Sequence, residues 1–218
     1  MGKLKSNINK NYKLWNDVSI WEDDGEEWSK HFTNTTYLWE KILYPKISKY
    51  LKGDILEIAP GRGRITNKLL EYDINLDIID LSDTCIDRCK QRFGTQINNY
   101  YVGNGRDLRN IPSNSKDFVF SFDSFVHMHE EVIDCYLEEI ERVLKIGGFC
   151  FIHHAQFFGG NEDNFQNIAG RSNMNIDLFK QLSESYNLKI INQELIRWDA
   201  EGNPDWLYDG FSLVKKFK

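Results

Sequence analysis

The sequence predicts an α/β fold built on a mostly parallel sheet. Three observations carry the prediction. Strand-like and helix-like segments alternate from Asp54 onward, a glycine turn (Gly61-Arg62-Gly63) joins the first strand to its helix, and two final strand-like runs stand close together. Repeated βα units place successive strands parallel with right-handed crossovers. The closing pair implies an antiparallel strand at one edge.

The elements follow in order. Residues 1–10 are polar and read as loose. Trp21-Glu22-Asp23-Asp24-Gly25-Glu26-Glu27-Trp28 is acidic between two tryptophans. A helix is predicted from Thr35 to Leu51, with Leu38, Ile42 and Ile47 on its apolar side and Pro45 kinking or dividing it. Residues 1–53 form a helical cap. The core, 54–154, begins with a strand at Ile55–Ala59 and a helix at Ile65–Glu71. Leu76–Ile79 is a second strand, ending at Asp80. Ser82 is an N-cap for a helix to about Phe93. Tyr100–Val102 is a third strand, and Asp117–Phe122, apolar and aromatic, a buried fourth. Glu130–Leu144 reads as a strong helix, with Val132, Ile133, Tyr136, Leu137, Ile140, Val143 and Leu144 at helical spacing. Gly147-Gly148 ends the connection to a fifth strand, Phe149–His153. Residues 155–175 form a long polar loop, of the kind that is usually functional in a compact domain. Residues 176–218 supply a helix, Ile176–Tyr186, and strands at Leu188–Leu195 and Phe211–Phe217, flanking a loop with Trp198 and Trp206.

Composition narrows the function. The chain has 218 residues, enough for one domain with a real core, and 41% hydrophobic content. Net charge is −6, without the basic stripe that phosphate-backbone binding needs, so nucleic acid is not the expected partner. No apolar run is long enough to span a bilayer, and no apolar leader is present, so a cytoplasmic location is expected. Cys85 and Cys89 share a helix face, but no second Cys/His pair stands at ligand spacing. No metal is expected, and the four cysteines fit a reducing compartment.

Strand, glycine turn and helix in succession hold nucleotide-like ligands. Glu57, an acid just before the turn, suggests a ligand with an amino group or hydroxyls. Asp80 ends the second strand, 19 positions after Gly61, where an acid binds ribose hydroxyls. NAD is one candidate. Thr66, however, stands where close helix–strand packing in dinucleotide folds wants glycine or alanine.

The same residues resemble motif I of class I S-adenosylmethionine-dependent methyltransferases: Glu57, then Ala59, Gly61 and Gly63 at alternate positions, with Ala59 in place of the commonest first glycine. Asp80 falls at the acid of the second strand. Val102-Gly103-Asn104-Gly105-Arg106-Asp107-Leu108 resembles the segment after the third strand, and the run from Phe118 to His127 resembles motif IV. Arg142-Val143-Leu144-Lys145-Ile146-Gly147-Gly148 resembles the R-x-L-K-P-G-G turn, with Ile146 for proline. The matches run in order over 54–154. The resemblance implies a Rossmann-like seven-stranded sheet, helices on both faces, with an antiparallel C-terminal strand. It implies S-adenosyl-L-methionine as cofactor and S-adenosyl-L-homocysteine as product. Glu57 and the turn Ala59, Pro60, Gly61, Arg62 and Gly63 would hold the methionine part. Asp80 and Leu81 would lie at the ribose, and Asn104, Gly105 and Arg106 at the adenine. The Phe122 backbone would lie near the sulfonium.

The acceptor is read from the histidines. A neutral alcohol must lose a proton as it is methylated, and a histidine suits that task. His127 and His129 follow the fourth strand, and His153 and His154 end the fifth. In open α/β sheets ligands bind at the carboxyl ends of strands. Adjacent strand residues point opposite ways, so one of the second pair faces the site, and His154 is the expected one. Asp123 would orient a histidine or the substrate. Trp28, His31 in the cap, and Arg171 in the long loop, as a clamp for phosphate or carboxylate, complete the expected acceptor site.

Gly25-Glu26-Glu27-Trp28-Ser29, Val126-His127, Phe151-Ile152-His153-His154 and Tyr208-Asp209-Gly210-Phe211-Ser212 resemble a methyltransferase subgroup found with bacterial surface-polysaccharide genes. That likeness implies an oxygen acceptor on a small sugar or on a phosphate- or phosphoramidate-type intermediate of capsule biosynthesis. An NAD-dependent oxidoreductase and a catalytically silent methyltransferase-like subunit are the alternatives.

Overall fold

The computed structural model describes residues 2–159, 170–197 and 208–218. Seven strands form one sheet: β1 (Gly53–Ile58), β2 (Ile74–Asp80), β3 (Asn99–Val102), β4 (Lys116–Phe125), β5 (Leu144–Ala155), β6 (Leu188–Arg197) and β7 (Tyr208–Lys216). Their spatial order is β3-β2-β1-β4-β5-β7-β6. The first five run parallel, and β7 is antiparallel to both β5 and β6. The C-terminal strand is thus the antiparallel one, as expected, but it is inserted beside β5 and leaves β6 at the edge. Chain order reverses between β1 and β4, the position where open α/β sheets leave a crevice.

Five helices matter to the site: α1 (Gly2–Trp15), α2 (Thr66–Leu69), α3 (Asp83–Phe93), α4 (Glu130–Val143) and α5 (Ile176–Ser185). The Ser82 side chain accepts from the Cys85 N–H and caps α3. α4 buries Val132, Ile133, Tyr136, Leu137, Ile140 and Val143, the expected stripe, while Leu144 turns into β5. Phe118, Phe120 and Val119 are all fully buried, so β4 is covered on both faces, as a central parallel strand must be. Among the described residues no helix is long and apolar enough to cross a membrane.

Two local expectations need correction, and a third holds. Residues 2–10 are not loose. They belong to α1, which ties two of its asparagines to the domain: the Asn7 and Asn11 amides both donate to the His127 carbonyl, and Asn7 Oδ1 accepts from the His129 N–H. The helix expected over Thr35–Leu51 is divided near Pro45, as expected. A π-turn, Leu38–Leu43, interrupts it immediately before Tyr44–Ile47, which carries the proline, because Pro45 has no N–H to bond the turn behind it. The helix after the glycine turn is a single turn, Thr66–Leu69, rather than Ile65–Glu71. Residues 160–169 of the long loop, and Trp198 and Trp206, lie outside the described residues. The described ends of that loop are tied down, with Ser172 N–H on Val126 O and Phe157 N–H on Met174 O, each at 2.8 Å.

Candidate active site

A cavity of about 310 Å³ opens at the carboxyl ends of β1, β2 and β4, under α1 and the strap that follows it. Its size falls in the range of small-molecule sites. Ala59, Pro60 and Gly61 line one wall, Asp80, Leu81 and Gly105 a second, and Phe122, Asp123, His127 and Arg171 a third. Trp28 and His31 come down from the cap. Twelve residues named from sequence therefore meet at one cavity.

The glycine turn is shaped by contact. A Cβ on Gly61 would sit 2.7 Å from the Trp21 ring, so only glycine admits that ring. Gly63 has φ +90° and lies against Phe93 and Cys89, so it serves packing rather than ligand contact. Ala59 holds φ +57° without being glycine, a left-handed conformation that costs an L-residue about 1–2 kcal/mol. Asp80 organises the opposite side. Its Oδ2 accepts the Gly61 N–H at 3.0 Å and its Oδ1 the Ser82 N–H at 2.8 Å. Burial raises its carboxyl to about 6, against those two hydrogen bonds.

Glu57 stands behind the turn rather than in the cavity lining. It is 3% exposed, and Thr66 Oγ1 donates to its Oε2 at 2.6 Å. Burial pushes this carboxyl up to about 8. The threonine at the dinucleotide-fold glycine position is therefore the partner of the acid before the turn. Arg62, Gly63, Asn104 and Arg106 also lie off the lining. Asn104 caps its own loop, accepting from the Arg106 and Asp107 N–H groups at 3.1 Å.

The histidines divide sharply. His127 lines the cavity, and its ring packs 5.0 Å from Trp15. Its Nδ1 lies 2.9 Å from the Gly170 carbonyl, which only accepts, so Nδ1 carries the proton and Nε2 keeps its lone pair. Burial first, then the Arg171 charge, pushes its pKa down to about 4. His154, the expected pocket histidine, is displaced from that role. It is fully buried and stacked on Phe179 at 4.4 Å; Nδ1 meets the Ala155 carbonyl and Nε2 the Ser212 hydroxyl, both at 2.8 Å. His153 faces the site side instead, with Nδ1 accepting the Asp123 N–H at 3.1 Å. Asp123, at φ +59°, pairs with Arg64 at 2.8 Å, and Arg64 also donates to the Ser29 hydroxyl.

The cap over the site and its Trp28 were expected from the sequence; Trp15, Trp21, the α1 residues and Arg64 were not. Trp15, Trp21 and Trp28 pack on one another with ring centroids 4.7–6.0 Å apart above the turn, and Asn7, Ile8 and Asn11 of α1 border the same space. Leu4, Ile8, Asn11 and Trp15 have helical spacing, the signal that marks α1 as a docked helix. Arg64 was visible as the second arginine of the Gly61-Arg62-Gly63-Arg64 run. Among the described residues no group of three or more His, Cys, Asp or Glu side chains is placed to hold a metal.

A Rossmann-like sheet with a glycine turn and a buried acid at its crevice is the architecture on which nucleotide-type cofactors bind. Residues 56–152 match the family described as methyltransferase domain. Phosphoethanolamine N-methyltransferase 1 of Zea mays is 28% identical over 120 residues, 51% of this chain; the chain spans only 23% of that protein. The fold is shared with geranyl diphosphate C-methyltransferase from Streptomyces coelicolor, solved with S-adenosyl-L-homocysteine (TM-score 0.72, 11% identity, 96% and 98% of the two chains). It is shared equally with a Galdieria sulphuraria protein, a candidate sarcosine dimethylglycine methyltransferase (TM-score 0.69, 16% identity, 97% and 98%). The methyltransferase-domain match covers the segment that carries the glycine turn, Asp80 and β4, and it supports S-adenosyl-L-methionine over NAD as the cofactor.

Proposed function

We propose that the whole chain transfers the methyl group of S-adenosyl-L-methionine to a hydroxyl oxygen of a small polar acceptor, a sugar or phosphate-bearing intermediate of surface-glycan biosynthesis in the cytoplasm. The cofactor supplies a methyl already activated by the sulfonium. Asp80 would accept from ribose hydroxyls and the Ala59–Gly61 turn would cradle the methionine end. Phe122 and Asp123 would floor the point where the two ligands meet. Holding the reactants aligned supplies much of the rate of such a displacement.

The observation that carries oxygen over nitrogen is His127. It is neutral near pH 7, protonated on Nδ1, and its Nε2 has no partner among the described residues. An imidazole whose conjugate acid has a pKa of about 4 is a weak base. It still suffices to take the proton of a methylated hydroxyl, because that oxonium is a far stronger acid. It would not take the proton of a methylated ammonium, which resembles a lysine ammonium in holding its proton to about pH 10. The phosphoethanolamine and sarcosine names of the similar proteins point to nitrogen, so His127 is where this reading departs from them. Trp28 offers a flat face of the kind that packs on a sugar ring. Arg64 and Arg171 border the acceptor space, but their forks are already engaged, by Asp123 and by Asp209, so they add positive charge to the wall rather than the bidentate phosphate clamp expected of Arg171. The glycan setting rests on the sequence likeness in the segments around Trp28, His127, His154 and Asp209.

Calorimetric titration of the purified protein with S-adenosylmethionine, S-adenosylhomocysteine and NAD tests the cofactor half. Binding of the first two alone is expected. A panel of sugars and sugar phosphates beside matched amines, scored by S-adenosylhomocysteine release, tests the acceptor half. Turnover confined to the amines would overturn it.

A further inference from the structure

Asp209 is fully buried on β7. Nothing in the reaction above uses it, yet two chains of contact leave it toward the cavity. One runs through Arg171, whose Nη2 lies 2.6 Å from Asp209 Oδ2 and whose Nε donates to Oδ1 at 3.2 Å, a two-point clasp. Arg171 follows Gly170, whose carbonyl faces His127 Nδ1, and precedes Ser172, whose N–H bonds Val126 O. The other runs through His153. Its Nε2 lies 3.1 Å from the same Oδ2, and its Nδ1 accepts the Asp123 N–H. Because Nδ1 accepts, the ring proton sits on Nε2, facing the carboxylate. The Asp123 backbone held this way is at φ +59°, a conformation that persists only when its surroundings enforce it. The His153 ring is itself fixed between Phe122, stacked at 4.7 Å, and Phe211, edge-on at 5.0 Å.

We infer that Asp209 is the positioning residue of the acceptor site: one buried carboxylate that fixes, through Arg171, the carbonyl that selects the His127 tautomer and, through His153, the strained backbone of Asp123. It touches neither ligand. Burial alone would raise its carboxyl, and the Arg171 charge with His153 outweighs that, holding it well below the usual carboxylate range. The clamp stays ionised wherever the protein is folded near neutrality. This inference deepens the reading of His127 as proton acceptor and rests on it.

The test is the histidine nitrogen spectrum of the full chain with 15N-labelled histidine, which distinguishes an Nδ1–H from an Nε2–H ring. In the wild type, His127 is expected as Nδ1–H and His153 as Nε2–H. In Asp209→Asn, His127 is expected to become a mixture of both tautomers and the Asp123 amide proton to shift. His154, held separately by Ala155 and Ser212, keeps its pattern, and S-adenosylhomocysteine affinity stays within about threefold. Arg171→Lys keeps the charge but loses the two-point clasp, and is expected to mix the His127 tautomers while leaving the Asp123 amide in place. Should Asp209→Asn fail to fold, the same spectrum is read from Asp209→Asn/Arg171→Gln, where no buried charge is left alone. A single Nδ1–H His127 and an unmoved Asp123 amide in the folded variant would overturn the inference. A wild-type His127 carrying its proton on Nε2 would instead overturn the base reading, and the Asp123 amide would then decide on Asp209 by itself.

Discussion

Replacing Glu57 by glutamine should make the protein more stable in alkali, although it removes the acid at the head of the cofactor turn. The Glu57 carboxyl is raised from an ordinary 4.5 to about 8 by burial, opposed by the Thr66 hydrogen bond, with the nearby Asp80 charge adding to the rise. The folded state therefore binds a proton that the unfolded state has released, and stability falls as pH climbs from 4.5 through 8. Asp80 behaves alike, but its rise from 3.8 stops at about 6. The window from pH 6 to 8 thus belongs to Glu57. Two pH units at about 1.4 kcal/mol each give a loss of about 3 kcal/mol across it. His127 and His154, both pushed down to about 4, act with the opposite sign, their stabilising effect growing as pH rises to the unfolded imidazole value. They act equally in both proteins and cancel in the difference. Glutamine keeps an oxygen for the Thr66 hydroxyl and has no proton to lose. Urea unfolding at half-unit steps from pH 6 to 8 reads the result. The wild type should lose about 3 kcal/mol relative to Glu57→Gln across the window. Parallel curves would refute the claim that Glu57 is buried and protonated.

His127→Ala should lower turnover about 10²-fold with S-adenosylhomocysteine affinity kept, measured by steady-state kinetics and calorimetry. His154→Ala should instead cost roughly 2–4 kcal/mol of stability, since a buried ring with both nitrogens bonded is lost, and should leave turnover per folded molecule nearly unchanged. Asp80→Asn should weaken S-adenosylhomocysteine binding by roughly 10–100-fold, the worth of a charged hydrogen bond, read by calorimetry. Gly63→Ala should destabilise by roughly 2–4 kcal/mol, because a Cβ at φ +90° would meet Phe93 Cζ at 2.8 Å, and urea unfolding reads that directly.

The wall formed by the glycine turn and Asp80 was legible in the sequence because its contacts are local. Gly61 and Asp80 lie at fixed offsets from strand ends, and their hydrogen bond, Gly61 N–H to Asp80 Oδ2, closes a distance set by the fold itself. The acceptor wall was less legible because strand alternation gives two answers and sequence gives no phase. Residues His153 and His154 do point opposite ways, but β7 decides which is which: Ser212 draws His154 to one face and Asp209 draws His153 to the other. The part that α1 plays in the roof was missed for a related reason. Polar residues in α1 looked solvated, whereas Asn7 and Asn11 spend their amides on a carbonyl 120 and 116 positions away. Thr66 was read as a residue that excludes one cofactor. Its positive role, holding the buried Glu57, needed the strand and helix side by side.

The central claim is methyl transfer to oxygen with His127 receiving the proton. Its most direct measurement uses S-adenosylmethionine labelled with 13C at the methyl, incubated with the protein and a panel of sugars, sugar phosphates and amines, with the product carbon read by NMR. A labelled carbon at the resonance of an O-methyl group, formed much more slowly by His127→Ala, is the predicted result. A labelled carbon bound to nitrogen or carbon, or an O-methyl product formed equally fast without the histidine, would contradict the account.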